Sequence, residues 1–544
     1  MSSLTWTSVF AAALVASLAM RAWLLARQVR HVACHRGEVP AAFRSSVDLA
    51  AHQRAADYTL AKCRLAHWQM VAGAAILLGW TLFGGLDLLN AAVREAVAPR
   101  AGGLAYEVAL IVAFVAIGAV LELPFEWYSI FRLEQRFGFN RMTWRLWLAD
   151  TAKGVALGAV VGIPLLAAVL WIMAATGPAW WLWAWAAWMA IVVAAQVVVP
   201  TFIAPLFNRF EELDDASLKA RVEALMGRVG LAARDLFVMD GSKRSAHANA
   251  YFTGFGSAKR VVFFDTLLAR LGAGEVEAVL AHELGHFKLR HIRKRMIAMA
   301  ALTLAFFALL GWLATQPGFY VGLGVAPNRT LPNDALALLL LLLASSVFGV
   351  FASPLLAGWS RRDEFEADAF ATTHADGGEL ASALLKLHED NASTLTPDPL
   401  YARFYYSHPP AVERLAALAL SAAFGHLAGQ SWFYTGLGVR PALGGPNNAV
   451  ALILLMFVAP VIGSFVSPLF AGLSRRHEFE ADAWAARHAD GQALASALLK
   501  LHEDNASTLT PDPVYARFYY SHPPAVERLA ALRLGWSPTP GIAS

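Results

Sequence analysis

Residues His282, Glu283, Leu284, Gly285 and His286 read HELGH inside an apolar run. On a helix, positions i and i+4 share a face, so both imidazoles can reach one metal ion while Glu283 points beside it toward a water. A catalytic zinc takes three protein ligands and keeps one position open. Downstream, EFEAD offers Glu364 and Asp368 one helical turn apart. Glu364 is the expected third ligand, and Asp368 the expected partner that orients an imidazole. If the two histidines were plain helix residues, Glu283 would be a carboxylate without a partner in an apolar segment, a costly arrangement. One Zn2+ and a hydrolase are therefore expected.

These residues need a membrane scaffold. The 544 residues are 57% hydrophobic and 15% charged, with a mean hydropathy of +0.48, which describes a polytopic membrane protein. Spans are expected near Leu4 to Ala26, Trp68 to Val93, Leu104 to Ile130, Gly154 to Ala175, Ala179 to Leu206, Met296 to Ala314 and Ala335 to Leu356. Each holds about the 20 apolar residues that a bilayer requires.

The first span lacks a basic stretch before it and is followed by Arg27, Arg30 and Arg36, so it reads as a retained helix with its N-terminus outside. Counting inward, Arg132 to Arg145, Asn208 to Arg295 and the pair Arg361 and Arg362 all fall on the cytoplasmic side. HELGH and EFEAD then share one face of the membrane. The net charge of +4 gathers at helix ends, as in Lys288 to Arg295, which suits anionic lipid and not nucleic acid. The cluster Trp180 to Trp188 suits an interfacial belt. Cys34 and Cys63, the only cysteines, have no metal or redox spacing and read as free thiols.

One polar domain interrupts the spans. Leu213 to Val229 has helical periodicity, and LFVMDG, HANAYFTGFG and RVVFFD alternate as short strands before a helix from about Gly274 carries HELGH. An extended peptide could pair with the edge of such a sheet. Asn249, Ala250 and Tyr251 are the expected substrate-binding edge.

Beyond these local patterns, the chain resembles the CAAX prenyl protease 1 family of integral-membrane zinc endopeptidases. The resemblance is carried by FRLEQRFGFNR (Phe131 to Arg141), APLFNRF (Ala204 to Phe210), MDGSKRSAHANAYFTG (Met239 to Gly254), FDTLL (Phe264 to Leu268), HELGHFKLRH, SRRDEFEADAF (Ser360 to Phe370) and YYSHPPAVERL (Tyr405 to Leu415). It implies an all-α polytopic membrane protein with seven core transmembrane helices around a chamber and a small α+β cytoplasmic zinc-peptidase domain. It further implies ligands His282, His286 and Glu364, base Glu283, and supporting roles for His408 and Arg414. Extra donors of that kind stabilise an oxyanion in a site with little bulk water. The expected reaction is peptide hydrolysis by a zinc-activated water near the C-terminus of prenylated or membrane-associated substrates.

The chain departs from the family in a C-terminal repeat. EFEAD returns at Glu478 to Asp482, and one offset also relates Tyr320 to Tyr434, His408 to His522 and Arg414 to Arg528. Leu494 to Leu532 copies Leu380 to Leu418 with one change, Leu400 against Val514, whereas HELGH occurs once. Glu478 is thus an alternative third ligand, and the copy an appended helical hairpin unit. Within it, Leu415 to Tyr434 is a weak span and Val450 to Phe470 a stronger one. The expected organisation is residues 1–206 as transmembrane helices 1–5, 207–295 as the peptidase domain, 296–418 as helices 6–7 with EFEAD, and 419–544 as the second copy. Competing readings are a quality-control peptidase without a prenyl requirement, a transporter and an inactive scaffold. The Ala-rich, Lys-poor composition suggests a bacterial inner membrane, with the zinc site facing the cytoplasm.

Overall fold

The computed structural model describes residues 2–440 apart from 41–42, 45, 231–234, 248 and 254–259. Beyond Arg440 it describes Asn447, 449–458, 472, 475–476, 478–479, 482, 495 and 523–533. The chain divides into two compact units, Met1–Ala422 and Ala423–Ser544.

In the first unit, α1 (Ser3–His35), α2 (Leu49–Trp80) and α3 (Gly85–Tyr128) precede a π-helical turn and α4 (Gln135–Phe137). Then come α5 (Trp144–Leu157), α6 (Ile163–Ala175), α7 (Trp180–Val198) and α8 (Ala204–Phe207), with π-helical turns after α5 and α7. Seven helical stretches in the described residues are long and apolar enough to cross a membrane: Ser3–His35, Gly85–Phe137, Trp144–Ala175, Gly177–Phe207, His291–Leu313, Asp334–His374 and Ala411–Ala428. Large apolar side chains such as Val160, Leu302 and Leu355 stand exposed on three of them, as lipid-facing positions do.

The expected span Trp68 to Val93 is corrected. α2 stops at Trp80 and the chain turns through Gly84, which adopts the left-handed φ of 77° that glycine tolerates. Apolar residues flank the turn on both sides, so hydropathy runs through it. Gly102, at φ 83°, splits α3 in the same way. Conversely, the stretch from Leu415, expected as a weak span, starts inside the apolar helix Ala411–Ala428; that helix ends before Tyr434, and a short one, Ser431–Gly436, follows. Of the stronger span Val450 to Phe470, residues 459–470 lie outside the described residues.

Between α8 and the next spanning helix lies the polar domain. It contains β1 (Phe210–Glu212), α9 (Ala216–Val229), β2 (Asp235–Met239), β3 (Ala250–Thr253), β4 (Arg260–Phe264), α10 (Asp265–Leu268) and α11 (Ala273–Lys288). The sheet order is β1-β2-β4-β3, with β2 and β4 parallel and the outer pairs antiparallel. β3 is therefore an edge strand. The three expected strands are present, and β1, too short and polar to show period-two alternation, joins them. Val222, Phe263, Leu280 and Ala383 belong to the apolar cluster beneath α11. A separate cluster, including Phe10, Tyr106, Leu310 and Leu336, ties the spanning helices together.

After α11 follow α12 (His291–Leu313), α13 (Pro317–Gly322), α14 (Asp334–His374), α15 (Gly377–Asp390), α16 (Pro399–Tyr405), α17 (Ala411–Ala428) and α18 (Ser431–Gly436). α14 is a single helix of 41 residues. Its buried positions gather from Ala335 to Leu341 near one end and from Asp363 to Ala371 near the other, with Val347, Val350 and Ala357 between.

Candidate metal centre

α11 begins where the Gly272 N–H donates to the Glu275 carboxylate at 2.7 Å, satisfying one of the free donors of a helix start. Two turns later it presents His282 and His286 on one face. Their Nε2 atoms lie 3.2 Å apart. Glu364 Oε2 is 3.5 Å from His282 Nε2, and Glu364 Oε1 is 3.4 Å from His286 Nε2.

Gly285 permits this approach. A Cβ there would stand 3.1 Å from Ala367 Cα and 3.2 Å from the Ala367 carbonyl oxygen, so the backbones of α11 and α14 meet where the third donor must arrive.

The donor set fits a metal ion. Ligands about 2.0–2.1 Å from a tetrahedral ion lie roughly 3.3 Å from one another, close to the three separations above. Glu364 Oε2 is buried without a hydrogen-bond partner, a costly state that an ion would relieve. Burial opposes the imidazolium at His282, but its hydrogen bond to the Asp368 carboxylate and the nearby Glu364 carboxylate outweigh that and push its pKa up to about 9. Burial also raises the Glu283 carboxyl above its ordinary range, which suits a proton acceptor that must later give the proton back.

Asp368 lies where an orienting partner belongs, its Oδ1 2.8 Å from His282 Nδ1. Arg414 donates to the same carboxylate through Nε at 2.8 Å and Nη2 at 2.5 Å, and its Nη1 lies 3.7 Å from Glu364. His408 Nε2 is 3.4 Å from Glu364 Oε1. The structure thus brings His282, His286, Glu364, Asp368, His408 and Arg414 together beside Glu283.

His282, Glu283, His286 and Glu364 line a cavity of about 340 Å³, which Asn249, Ala250, His408 and Arg414 also line. Asn249, His408 and Arg414 line a second cavity of about 830 Å³ as well, whose wall includes Tyr58, Glu134, Tyr401 and Tyr406. Ala250 and Tyr251 lie on β3 at the edge of the sheet, directly after Asn249. The Tyr251 ring lines neither cavity and stands edge-on to Phe264 at 6.3 Å. His291 is also on the site wall and went unread as a site residue, although the HELGHFKLRH run contained it.

In the second unit, Arg528 donates to Asp482 at 2.7 and 2.6 Å and lies 3.1 Å from Glu478. Copy two therefore repeats the Arg–Asp–Glu grouping of copy one. His522 lies outside the described residues.

The fold and this donor set define a membrane-embedded metallopeptidase. The family described as "CAAX prenyl protease N-terminal, five membrane helices" matches residues 28–209, and peptidase family M48 matches residues 212–422 and again 419–534. CAAX prenyl protease 1 of Saccharomyces cerevisiae is 30% identical over 436 residues, covering 76% of this chain and 96% of the relative. The Homo sapiens CAAX prenyl protease 1 homolog is 28% identical over 457 residues, covering 75% and 95%. The crystal structure of S. mikatae Ste24p superposes with a TM-score of 0.70 at 29% identity, covering 76% of this chain and 99% of that one. The chain belongs to the CAAX prenyl protease 1 family.

Proposed function

We propose that the chain is a zinc endopeptidase that cleaves near the C-terminus of prenylated or membrane-associated peptides, with His282, His286 and Glu364 as ligands and Glu283 as base. The observation that carries this reading is the convergence of three buried donors in one cavity with Glu283. The names of the relatives support the prenylated substrate class. A zinc ion held there supplies Lewis acidity toward a water and a substrate carbonyl. Glu283 takes the proton of the attacking water and returns it to the leaving amine. Arg414 fixes Asp368, which holds His282, and His408 and Arg414 offer donors to the oxyanion. The β3 edge at Asn249 and Ala250 holds the substrate in extended form through its main chain. Glu364 is the ligand in preference to Glu478 because its carboxylate already meets both imidazoles.

The basic segments on the side of HELGH support a cytoplasm-facing site, and the composition supports a bacterial inner membrane. The second copy, lacking HELGH, is a duplicated unit and not a second active site. The test is cleavage of a peptide ending in farnesylated cysteine plus three residues. Wild type should cleave it, Glu283→Gln should retain metal without turnover, and cleavage of the unmodified peptide alone would exclude the prenyl requirement.

A further inference from the structure

His286 Nδ1 lies 3.0 Å from His291 Nδ1. His291 is 1% exposed, and its Nε2 lies 3.1 Å from Glu366 Oε2 and 3.9 Å from Asp363 Oδ1. Because His286 turns Nε2 toward His282 and Glu364, its lone pair is needed there and its proton belongs on Nδ1. His291 Nδ1 must then accept, which puts the His291 proton on Nε2, where Glu366 accepts it. One assignment of tautomers satisfies every member of the chain.

The backbone is bent to bring this about. α11 ends at Lys288, and Arg290 adopts a left-handed φ of 60° before α12 begins at His291. Arg290 is one of two described non-glycine residues with positive φ. Strain of this kind persists where surrounding structure enforces it and gathers at functional sites.

We infer that His291 is a positioning residue for the metal centre: it fixes the tautomer and ring orientation of His286 and passes its hydrogen bond to Glu366. This rests on the metal-ligand reading above. His282 has the equivalent support directly from Asp368, so the two ligands are held differently, one by a carboxylate and one through a second imidazole. A second metal ion on His291, Asp363 and Glu366, which are close enough together for one, is the weaker reading. Arg295 pairs with Asp363 at 2.8 Å, and Arg362 and Lys294 pair with Glu366 at 3.0 and 3.8 Å, leaving the carboxylates neutralised.

The test uses full-length protein in detergent, stripped of metal and titrated with zinc against a competing chelator, with the melting temperature of the stripped protein measured in parallel. His291→Leu removes the acceptor, and His291→Asn returns an oxygen near the Nδ1 position. The expected result is one zinc per wild-type chain, about 10- to 100-fold weaker binding in His291→Leu, and recovery of most of that loss in His291→Asn. Wild-type affinity in His291→Leu, no recovery in His291→Asn, or two zinc ions per wild-type chain would each overturn the inference. Zinc-free behaviour of the wild type would instead remove the ligand reading itself, for which Glu364→Ala is the control.

Discussion

Arg414 grips Asp368 through two guanidinium hydrogen bonds, and Asp368 in turn holds His282 Nδ1 at 2.8 Å. The residue that fixes the first imidazole is therefore itself fixed from α17, far along the chain. A planar fork makes this grip, and an ammonium cannot reproduce it.

Arg414→Lys should weaken zinc binding and lower kcat/KM about 10- to 100-fold, the usual cost of losing an outer partner of a ligand. Chelator competition and steady-state kinetics on the same preparation check this. Unchanged values in both would remove Arg414 from the site.

Gly285→Ala should force α11 and α14 apart by a few tenths of an ångström, since the added carbon meets backbone atoms of Ala367. Zinc affinity should fall more than fold stability does. A melting temperature that collapses while affinity holds would contradict this.

Glu364→Ala should abolish zinc binding and cleavage, whereas Glu478→Ala should leave both near wild type. The opposite pattern would move the third ligand to the second copy.

His408→Ala should retain its zinc yet lose turnover, with kcat down about 10- to 1,000-fold if its donor serves the oxyanion. Metal analysis beside kcat decides, and metal loss would make His408 a structural partner of Glu364 instead.

Glu275 gives a pH-dependent prediction. Burial works against its charge, but the Lys386 ammonium at 2.7 Å, the Ser382 hydroxyl and the Gly272 N–H outweigh that and lower its pKa. A lowered folded pKa means stabilisation present above the unfolded value near 4.3 and lost as pH falls through the folded one. Glu275→Gln should cost roughly 1–3 kcal/mol at neutral pH. Melting curves of wild type and variant should draw together below about pH 4.

The candidate donors were legible because helical spacing is a local rule: Glu364 and Asp368 share a face as directly as His282 and His286 do. His291 was not, because a left-handed Arg290 brings that side chain back onto His286, and no periodicity encodes such a break. Trp68 to Val93 failed for a related reason, since hydropathy averages over the turn at Gly84. The repeat was fully legible as sequence, and its Arg528–Asp482 pair has the same 46-residue spacing as Arg414–Asp368.

α14 joins Leu336, fully buried among the spanning helices, to Glu364 at the candidate metal site as one helix, with Pro354 between them. Over those residues the helix measures roughly 42 Å. A tilt of one degree about the Leu336 end displaces the Glu364 end by about 0.7 Å, more than the roughly 0.2 Å within which metal–ligand bonds are held. The long helix thus links the packing of the spanning helices around Leu336 to the position of the Glu364 carboxylate, and a small change of tilt at one end is magnified at the other.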